Sequence, residues 1–304
     1  MVVVFGVLLL VFLLAHIVPG GPARAALGQR ATAANIAAFN KFNGYDLPVW
    51  NQLWQYLVKV IVHQNLGFSY QYDQEVSSLI GQRLPRTLVL VGLSTVLTLM
   101  IAIPLGILQV VRRNTVVDYF FTAVSFVLYA MPTFFVGFMI ILLFVLKAKI
   151  FTITLPSNTS VAGIIEDPRF LIPPVLTLSA ITIASFSRYM RSAMMDALTQ
   201  DYIRTARAKG AGSRRVLFRH ALRNALIPIV TLLGLSFPTI VSGAVITETV
   251  FNFPGMGLLT VNAATQLDIP TLLGTTLVAT IATVVGSLLA DLLYAVVDPR
   301  IRYA

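Results

Sequence analysis

Cysteine is absent from this chain of 304 residues, so neither a disulfide framework nor a thiolate metal site can form. Histidine is nearly absent as well: His16, His63 and His220 lie far apart in the sequence, without the spacing of metal ligands. The apolar segments also lack a constellation of acids and bases that could perform chemistry. These absences argue against a metalloprotein and against a membrane enzyme.

Charged residues are also scarce. They make up 11% of the chain, against about 25% in a typical soluble domain, and 57% of the residues are hydrophobic. Apolar runs of 18 or more residues recur, and about 20 such residues span a hydrocarbon core of ~30 Å as a helix. The sequence therefore predicts an all-α, polytopic membrane helix bundle.

About six transmembrane helices are predicted from the apolar runs, at 1–18, 87–111, 118–147, 172–195, 226–248 and 272–296. They divide the chain into a first helix (1–18), an extracytoplasmic segment (19–86) and a core that carries the other five helices (87–304). Within the segment 19–86, Trp50 and Trp54 suit a membrane interface, and the stretch "NQLWQYLVKVIV" predicts a short amphipathic helix lying on it.

Prolines fall within or at the edges of the predicted spans, where each kinks or ends its helix. They are Pro104, Pro132, Pro174, Pro228 and Pro238. Such breaks are tolerated where helices surround a cavity, so they indicate either a pathway or plain bundle packing.

The distribution of basic residues predicts the orientation. With both termini in the cytoplasm, thirteen of the 22 Lys and Arg lie in short cytoplasmic pieces, nine of them in residues 188–223. The other nine are diluted over roughly 130 outer residues. Because short loops rich in Lys and Arg stay inside, both termini and residues 188–223 are predicted to be cytoplasmic.

Residues 1–18 have a second interpretation. They could be the apolar part of a signal peptide, with "ARA" (23–25) as its cleavage site. No basic residue precedes the run, although a signal peptide and a helix with a cytoplasmic start both favour one. A retained span is preferred because an even number of crossings is needed to place the basic residues inside.

The basic strip, residues 201–228, reads "DYIRTARAKGAGSRRVLFRHALRNALIP". Its apolar flanks pin it close to the bilayer, which disfavours nucleic acid, whereas anionic lipid is attracted by ~1 kcal/mol per Lys or Arg. Attraction to lipid would need only the positive charge and does not explain why the strip is divided into distinct parts. Residues 210–212 divide it, Ser213 can cap a second helix, and small residues occupy the first part. This pattern indicates a helix, a glycine turn and a helix that dock into a groove of another protein.

At these residues the sequence resembles the permease subunits of ATP-binding-cassette importers, whose cytoplasmic "EAA" loop couples the membrane to the ATPase. Gly210 matches the glycine of the family pattern and Ala206 its second alanine, whereas Arg204 and Thr205 stand where Glu and Ala would be. That departure resembles the peptide and nickel branch, whose members typically read "DYVRTARAKG…RHALRNALLP" where this chain reads "DYIRTARAKG…RHALRNALIP".

Four further stretches resemble the same branch, and the resemblance covers residues 1–302. They are "RLPRTLVLVGLSTVLTLMIAIPLGIL" (83–108), "YAMPTFFVGFMIILLF" (129–144), "TETVFNFPGMG" (247–257) and "DLLYAVVDPRIR" (291–302). One departure is "VPGGP" (18–22), where the family commonly has "PGDP", and it leaves the role of that outer loop open.

The resemblance implies a permease subunit that carries di- or oligopeptides across a prokaryotic cell (inner or plasma) membrane, with nickel or another small solute as the alternative. It implies as partners a second homologous permease subunit, two ATP-binding-cassette ATPase subunits, an extracytoplasmic substrate-binding protein and membrane lipid, but no nucleic acid. The chain has no Gly-Lys pair and hence no Walker A motif. ATP and Mg²⁺ are therefore expected on the ATPase subunits, with no cofactor and no enzyme activity in this chain.

The coupling role is assigned to the loop 196–226. Ala206 and Gly210 are expected to allow close approach and the turn, and Arg204, Arg207 and Lys209 to pair with carboxylates of the ATPase or with lipid headgroups. The full set of candidate coupling residues is Arg204, Thr205, Ala206, Arg207, Lys209, Gly210, Ala211 and Arg215.

On the outer side, Glu248, Phe251, Phe253 and Pro254 are candidate contacts for the binding protein, although packing within the loop explains the two phenylalanines equally well. Asp291 is the one acid well inside a predicted span and is therefore a candidate intramembrane polar site for a proton or cation. Contact with water at the nearby cytoplasmic end, or pairing with a loop arginine, is the favoured interpretation of Asp291.

A secondary transporter is the rival class. It is expected to carry its own coupling-ion site near the midplane, and often internal repeats. No convincing repeat relates the two halves of this sequence, and only Asp291 could serve as the ion site. An ion channel would need a ring of filter carbonyls or charges, and no stretch of the sequence indicates one.

Overall fold

The computed structural model describes residues 2–17, 21–28, 31–153, 160–242 and 244–297. Within these ranges it describes all side chains except those at 21, 22, 25, 235, 237–242, 290, 291 and 293–297. The chain begins with four helices, α1 (Val2–Ile17), α2 (Gly21–Leu27), α3 (Ala33–Asn43) and α4 (Val49–Ile61). A minimal antiparallel ladder follows, in which β1 (Phe68–Ser69) pairs with β2 (Gln74–Glu75).

The rest of the described chain is helical. The next helices are α5 (Val76–Val111), α6 (Val116–Ala130), α7 (Thr133–Ile140) with a π-helical continuation (Ile141–Lys147), α8 (Val161–Glu166) and α9 (Pro168–Leu198). They are followed by α10 (Asp201–Ala208), α11 (Ser213–Arg215) with a π-helical segment (Val216–Ala221) that runs into α12 (Leu222–Ser242), α13 (Val245–Val250), α14 (Met256–Thr265) and α15 (Ile269–Val297).

In the described part of the chain, four helices are long and apolar enough to cross a membrane. They are Val76–Val111, Pro168–Leu198, Ser213–Gly234 and Ile269–Leu289. α1 has 16 residues, or about 24 Å of helix, which is less than a hydrocarbon core of ~30 Å. The all-α membrane bundle is therefore confirmed, whereas six crossings remain a prediction.

The third predicted span, 118–147, is not one straight helix. α6 and the helix that starts at Thr133 are bent by 105° relative to each other, and the pair adds a fifth crossing only if it is counted as one span. The break lies at Met131 and Pro132, both of which have extended backbone angles. Proline disfavours the helical conformation of the residue before it and cannot donate a backbone hydrogen bond, so α6 ends here.

Other predicted span boundaries also differ from the structure. The boundary predicted at 86/87 falls inside α5, which begins at Val76, and α9 extends past both ends of 172–195. The fifth predicted span (226–248) is displaced, because its helix starts at Ser213 and ends at Ser242. An apolar run indicates only the part of a helix that lies in hydrocarbon. The helix itself continues past that part through polar residues.

The predicted amphipathic helix is present as α4. Leu53 is buried, while Trp50 and Trp54 are exposed. The buried face packs on α1 and α15 in a cluster with Leu8, Phe12 and Leu273.

α5 and α9 form the centre of the bundle and approach each other closely at Gly106. A Cβ atom at Gly106 would lie 2.7 Å from Cβ of Met190, so only glycine permits this approach. Eight residues earlier in α5, the hydroxyl oxygen of Thr98 lies 2.6 Å from that of Thr182 in α9.

α5 also connects two opposite ends of the bundle. Its first turns, at Val76 and Ile80, pack against Met256 of α14. Its last turns, at Ile107 and Val110, join the hydrophobic cluster that holds α10. About 30 residues of helix, or ~45 Å, separate the two contacts, so α10 and α14 lie at opposite ends of the molecule.

Candidate functional site

The basic strip folds as α10, a tight turn and the helix that leads into α12. The backbone N–H of Ala211 donates to the carbonyl of Ala206 (3.1 Å), and the N–H of Gly210 donates to the carbonyl of Arg207 (2.9 Å). This paired cap needs a left-handed residue just after the helix, and Gly210 has a φ of +80°. Gly212, with a φ of −65°, precedes α11 and needs no such conformation.

The inner face of α10 is buried against other helices of the same chain. Ile203 is fully buried, and Ala206 is 9% exposed. Both belong to a hydrophobic cluster that also contains Met190, Met194, Ala197, Val216, Ala221 and Ala225. The expectation that Ala206 lets a partner approach is therefore corrected: its small side chain lets α10 pack on α9 and on the start of α12.

The outer face of α10 and of its turn is cationic. Arg204, Arg207, Lys209 and Arg215 are exposed, and so is Thr205. Arg204 is 3.4 Å from Asp201, but both side chains are largely exposed, so the pair contributes little. Among the described residues, no carboxylate lies within 4.0 Å of Arg207, Lys209 or Arg215.

Ala211 completes this arrangement, because it is half-buried and packs against the same cluster as Ile203 and Ala206. The segment therefore has an apolar inner face joined to the spans and a basic outer face whose positive charge is largely uncompensated by described residues. Such a surface is suited to an acidic cleft or an anionic membrane surface.

An ion pair between a buried carboxylate and a partly exposed guanidinium joins α6 to α9. Arg191 of α9 donates to both carboxylate oxygens of Asp118 in α6, at 2.9 and 3.0 Å. Asp118 is 2% exposed and also accepts the N–H of Asn114, from the turn between α5 and α6, at 3.1 Å. The pair ties that turn to α9, seven residues before the helix ends at Leu198. Sequence reasoning missed it because nothing local relates two residues that are 73 positions apart.

At the opposite end, the stretch "TETVFNFPGMG" folds around a buried carboxylate. Glu248 accepts hydrogen bonds from the hydroxyl of Thr87 (2.9 Å) and from the N–H of Leu258 (3.0 Å). The hydroxyl of Thr87 in turn accepts the N–H of Met256 (2.8 Å). A Cβ atom at Gly255 would lie 2.5 Å from both the Glu248 carboxylate and the Thr87 hydroxyl. Burial raises the pKa of Glu248, although its hydrogen bonds act in the opposite direction.

This arrangement corrects the expected contacts for a binding protein. Glu248, Phe251 and Phe253 are all buried within the chain, and Pro254 is half-buried. The ring of Phe253 stacks on Phe170 of α9, with ring centroids 5.6 Å apart. The three buried side chains stabilise the loop from inside, which agrees with the alternative interpretation of the phenylalanines as packing residues.

The backbone at Asp291 belongs to α15, but the Asp291 side chain lies outside the described residues. The candidate polar site in the last span is therefore not tested by the structure. Residues 298–302 of the C-terminal stretch "DLLYAVVDPRIR" also lie outside the described part.

Comparison with known proteins matches almost the whole chain. Residues 102–303 match the family described as "Binding-protein-dependent transport system inner membrane component", and residues 1–91 match a family described as the N-terminal part of such membrane components. The oligopeptide transport system permease protein AppB of Bacillus subtilis is 38% identical over 99% of this chain and 96% of its own length. The glutathione and dipeptide transport system permease proteins GsiC and DppB of Escherichia coli are 34% and 33% identical, each over 98% of this chain and 94% of its own length.

Proposed function

Since the chain belongs to the family of binding-protein-dependent transport system inner membrane components, we propose that it forms part of the passage through which di- and oligopeptides enter a prokaryotic cell. The family makes it a permease component of an ATP-binding-cassette importer and a multi-pass membrane protein, not the catalytic component. ATP and Mg²⁺ bind the partner ATPase subunits in this proposal, and this chain needs no cofactor.

The coupling of ATP hydrolysis to the passage runs through residues 201–226. The observation that carries this proposal is the two-sided surface of α10, with Ile203 and Ala206 buried among the spans and Arg204, Arg207 and Lys209 exposed. When the ATPase moves the basic outer face, the packed inner face transmits the displacement to α9 and α12 as a rigid-body tilt.

The assembly contains a second homologous permease subunit, two ATPase subunits at the α10 end and an extracytoplasmic binding protein at the α14 end. Both termini are cytoplasmic, α1 is a retained span, and the segment 19–86 is extracytoplasmic. Anionic lipid is a further partner. It suits the apolar groove of about 660 Å³ between the end of α5 and α11 with its π-helical continuation, whose lining includes Arg207 and Arg214.

Peptide is preferred over nickel as the solute because each of the three relatives named above is described as a permease for peptides or glutathione. The decisive experiment reconstitutes the complete complex in proteoliposomes and measures uptake of labelled dipeptides, oligopeptides and Ni²⁺. We expect peptide uptake that requires both ATP on the α10 side and the binding protein on the other side. Peptide uptake without ATP, or uptake of Ni²⁺ alone, contradicts the proposal.

A cross-linking experiment tests the coupling surface separately. The chain contains no cysteine, so a Lys209→Cys variant carries a single thiol at the outer face of α10. We expect a short bifunctional reagent to link this variant to an ATPase subunit. Trp54→Cys, exposed on α4 at the other end of the bundle, is the matched control and should give no such product. Cross-linking of the ATPase to Trp54→Cys and not to Lys209→Cys would place the ATPase at the α4 end of the bundle and contradict the proposal.

A further inference from the structure

α9 is the most buried of the candidate spans, and its remaining exposed surface is polar. In its most apolar window 56% of residues are buried, against 22–28% in the other three spans. Thr182, Tyr189 and Ser192 are exposed, with Ser185 half-buried between them. Their spacing of three to four residues places them on one face of the helix. We call this face, Thr182, Ser185, Tyr189 and Ser192, the α9 stripe.

The exposed face of α5 has the opposite character. Leu93, Val96, Met100 and Leu108 are all exposed, and all are apolar. Such a face suits contact with lipid chains, whereas polar groups in spans normally face a bundle interior or water. The two central helices therefore present different surfaces, and the α9 stripe, in which every side chain carries a hydroxyl, belongs on the side that faces water.

A cation borders the α9 stripe. The guanidinium of Arg188 lies 4.4 Å from the centre of the Phe126 ring and 5.2 Å from that of Tyr129, both on α6. These two rings are themselves more than half exposed. Among the described residues, no carboxylate forms an ion pair with Arg188, whereas Arg191, one turn away, holds Asp118 with two hydrogen bonds.

Arg188 lies ten residues before α9 ends at Leu198, so it belongs to the helix and not to the cytoplasmic residues among which the predicted orientation counted it. The hydroxyl oxygens of Ser125 and Ser187 are 3.5 Å apart, which places Arg188 level with Ser125 on α6. Ser125 lies nine residues after the start of α6, or ~14 Å along the helix. The turn before α6 carries Arg112 and Arg113, residues that belong at the membrane surface. A charge so far from that surface, with no counter-ion in the described part of the chain, needs a polar surrounding.

We propose that the α9 stripe lines the passage and that the guanidinium of Arg188 binds the terminal carboxylate of the peptide as it passes. A guanidinium can hold a carboxylate through two parallel hydrogen bonds, and stacking on aromatic rings restrains its orientation. Every linear peptide carries this carboxylate, so the contact recognises the class without reading the sequence. The identity of the solute rests on the proposed function, but the exposure of the α9 stripe to water does not.

Thiol labelling tests the passage without any peptide. In the assembled complex, Ser192→Cys is compared with Met100→Cys on the lipid-facing side of α5, using an anionic and a cationic methanethiosulfonate reagent. We expect Ser192→Cys to react at least about tenfold faster than Met100→Cys, and to prefer the anionic reagent. Adding Arg188→Gln should abolish that preference. Equally slow labelling of both variants, with and without ATP, would mean that the α9 stripe is a dry interface with the second permease subunit and overturns the proposal.

Peptide uptake tests the carboxylate contact. Proteoliposomes receive Ala-Ala or its C-terminal amide, and the acid-to-amide ratio of initial rates is compared between wild type, Arg188→Gln and Arg188→Lys. The binding protein's own preference for acid over amide affects all three proteins equally. A change in the acid-to-amide ratio between them is therefore due to residue 188. We expect the ratio to fall several-fold in Arg188→Gln and less in Arg188→Lys. An equal loss of acid and amide uptake overturns the contact. If wild type takes up no peptide, the proposed function and the peptide contact fail, while the labelling result still decides the passage.

Discussion

Gly210 and Gly212 form a matched pair that tests the coupling turn. A Cβ atom at either position would meet no atom within 4 Å, so alanine fits both sites sterically. The two glycines differ in backbone conformation, with a φ of +80° at Gly210 and −65° at Gly212. A side chain in the left-handed region costs about 1–2 kcal/mol, and each 1.4 kcal/mol is a factor of ten in an equilibrium.

Gly210→Ala should therefore weaken the paired cap that joins α10 to α11, while Gly212→Ala should leave it intact. The strain shifts the population of correctly seated α10 by about 5–30-fold relative to rearranged turns. We expect uptake per ATP hydrolysed to fall several-fold in Gly210→Ala, with the protein still inserted in the membrane. Gly210→Asn should be milder, because asparagine tolerates the left-handed conformation better than alanine.

The assay measures solute uptake, ATP hydrolysis and the amount of bound ATPase in the same proteoliposomes. Retained ATPase with reduced uptake per ATP identifies uncoupling rather than failed assembly. If Gly210→Ala and Gly212→Ala give the same coupled uptake, the conformation of Gly210 does not matter for coupling and the reasoning is wrong.

Two further predictions concern the buried polar groups at the two ends of the bundle. Gly255→Ala brings a methyl group to within 2.5 Å of the Glu248 carboxylate and the Thr87 hydroxyl, so the thermal midpoint of the detergent-solubilised complex should fall. Gly81→Ala is the control, because a Cβ atom there meets nothing within 4 Å. Equal midpoints for the two variants would contradict the prediction. Arg191→Ala removes the partner of the Asp118 carboxylate and should lower the thermal midpoint of the detergent-solubilised complex. The double variant with Asp118→Ala should recover most of that loss, and a double variant as unstable as the single one would show that the pair is not the cause.

The spans were predicted correctly where a long apolar run can adopt only one structure in lipid. A run of about 20 apolar residues can satisfy its backbone in lipid only as a helix, so α5, α9 and α15 follow from composition. The prediction failed at helix ends, because polar residues continue a helix outside the lipid, whereas the break at Pro132 was predicted. The extension of α5 to Val76 lies in such a region, whereas α14 is apolar but, with ten residues, too short to be predicted as a span.

The candidate site was predicted in part for the same kind of reason. A glycine between two helical patterns predicts a turn, and Gly210 forms it with its left-handed backbone. The direction of Ala206 depends on how α10 rotates to bury Ile203, which no local pattern states. The burial of Glu248 likewise requires Thr87 from a distant helix to supply a hydrogen bond.

By itself, the sequence determined that this chain spans a membrane as helices and that a basic, glycine-hinged segment interrupts them. Both properties are local, since they follow from the cost of placing backbone and charge in hydrocarbon. Only the tertiary structure decided which side chains of that segment face inward, that Asp118 meets Arg191, and that Arg188 stacks on two aromatic rings of α6. Those outcomes depend on contacts between residues far apart in the chain, and packing selects them only after the helices are in place.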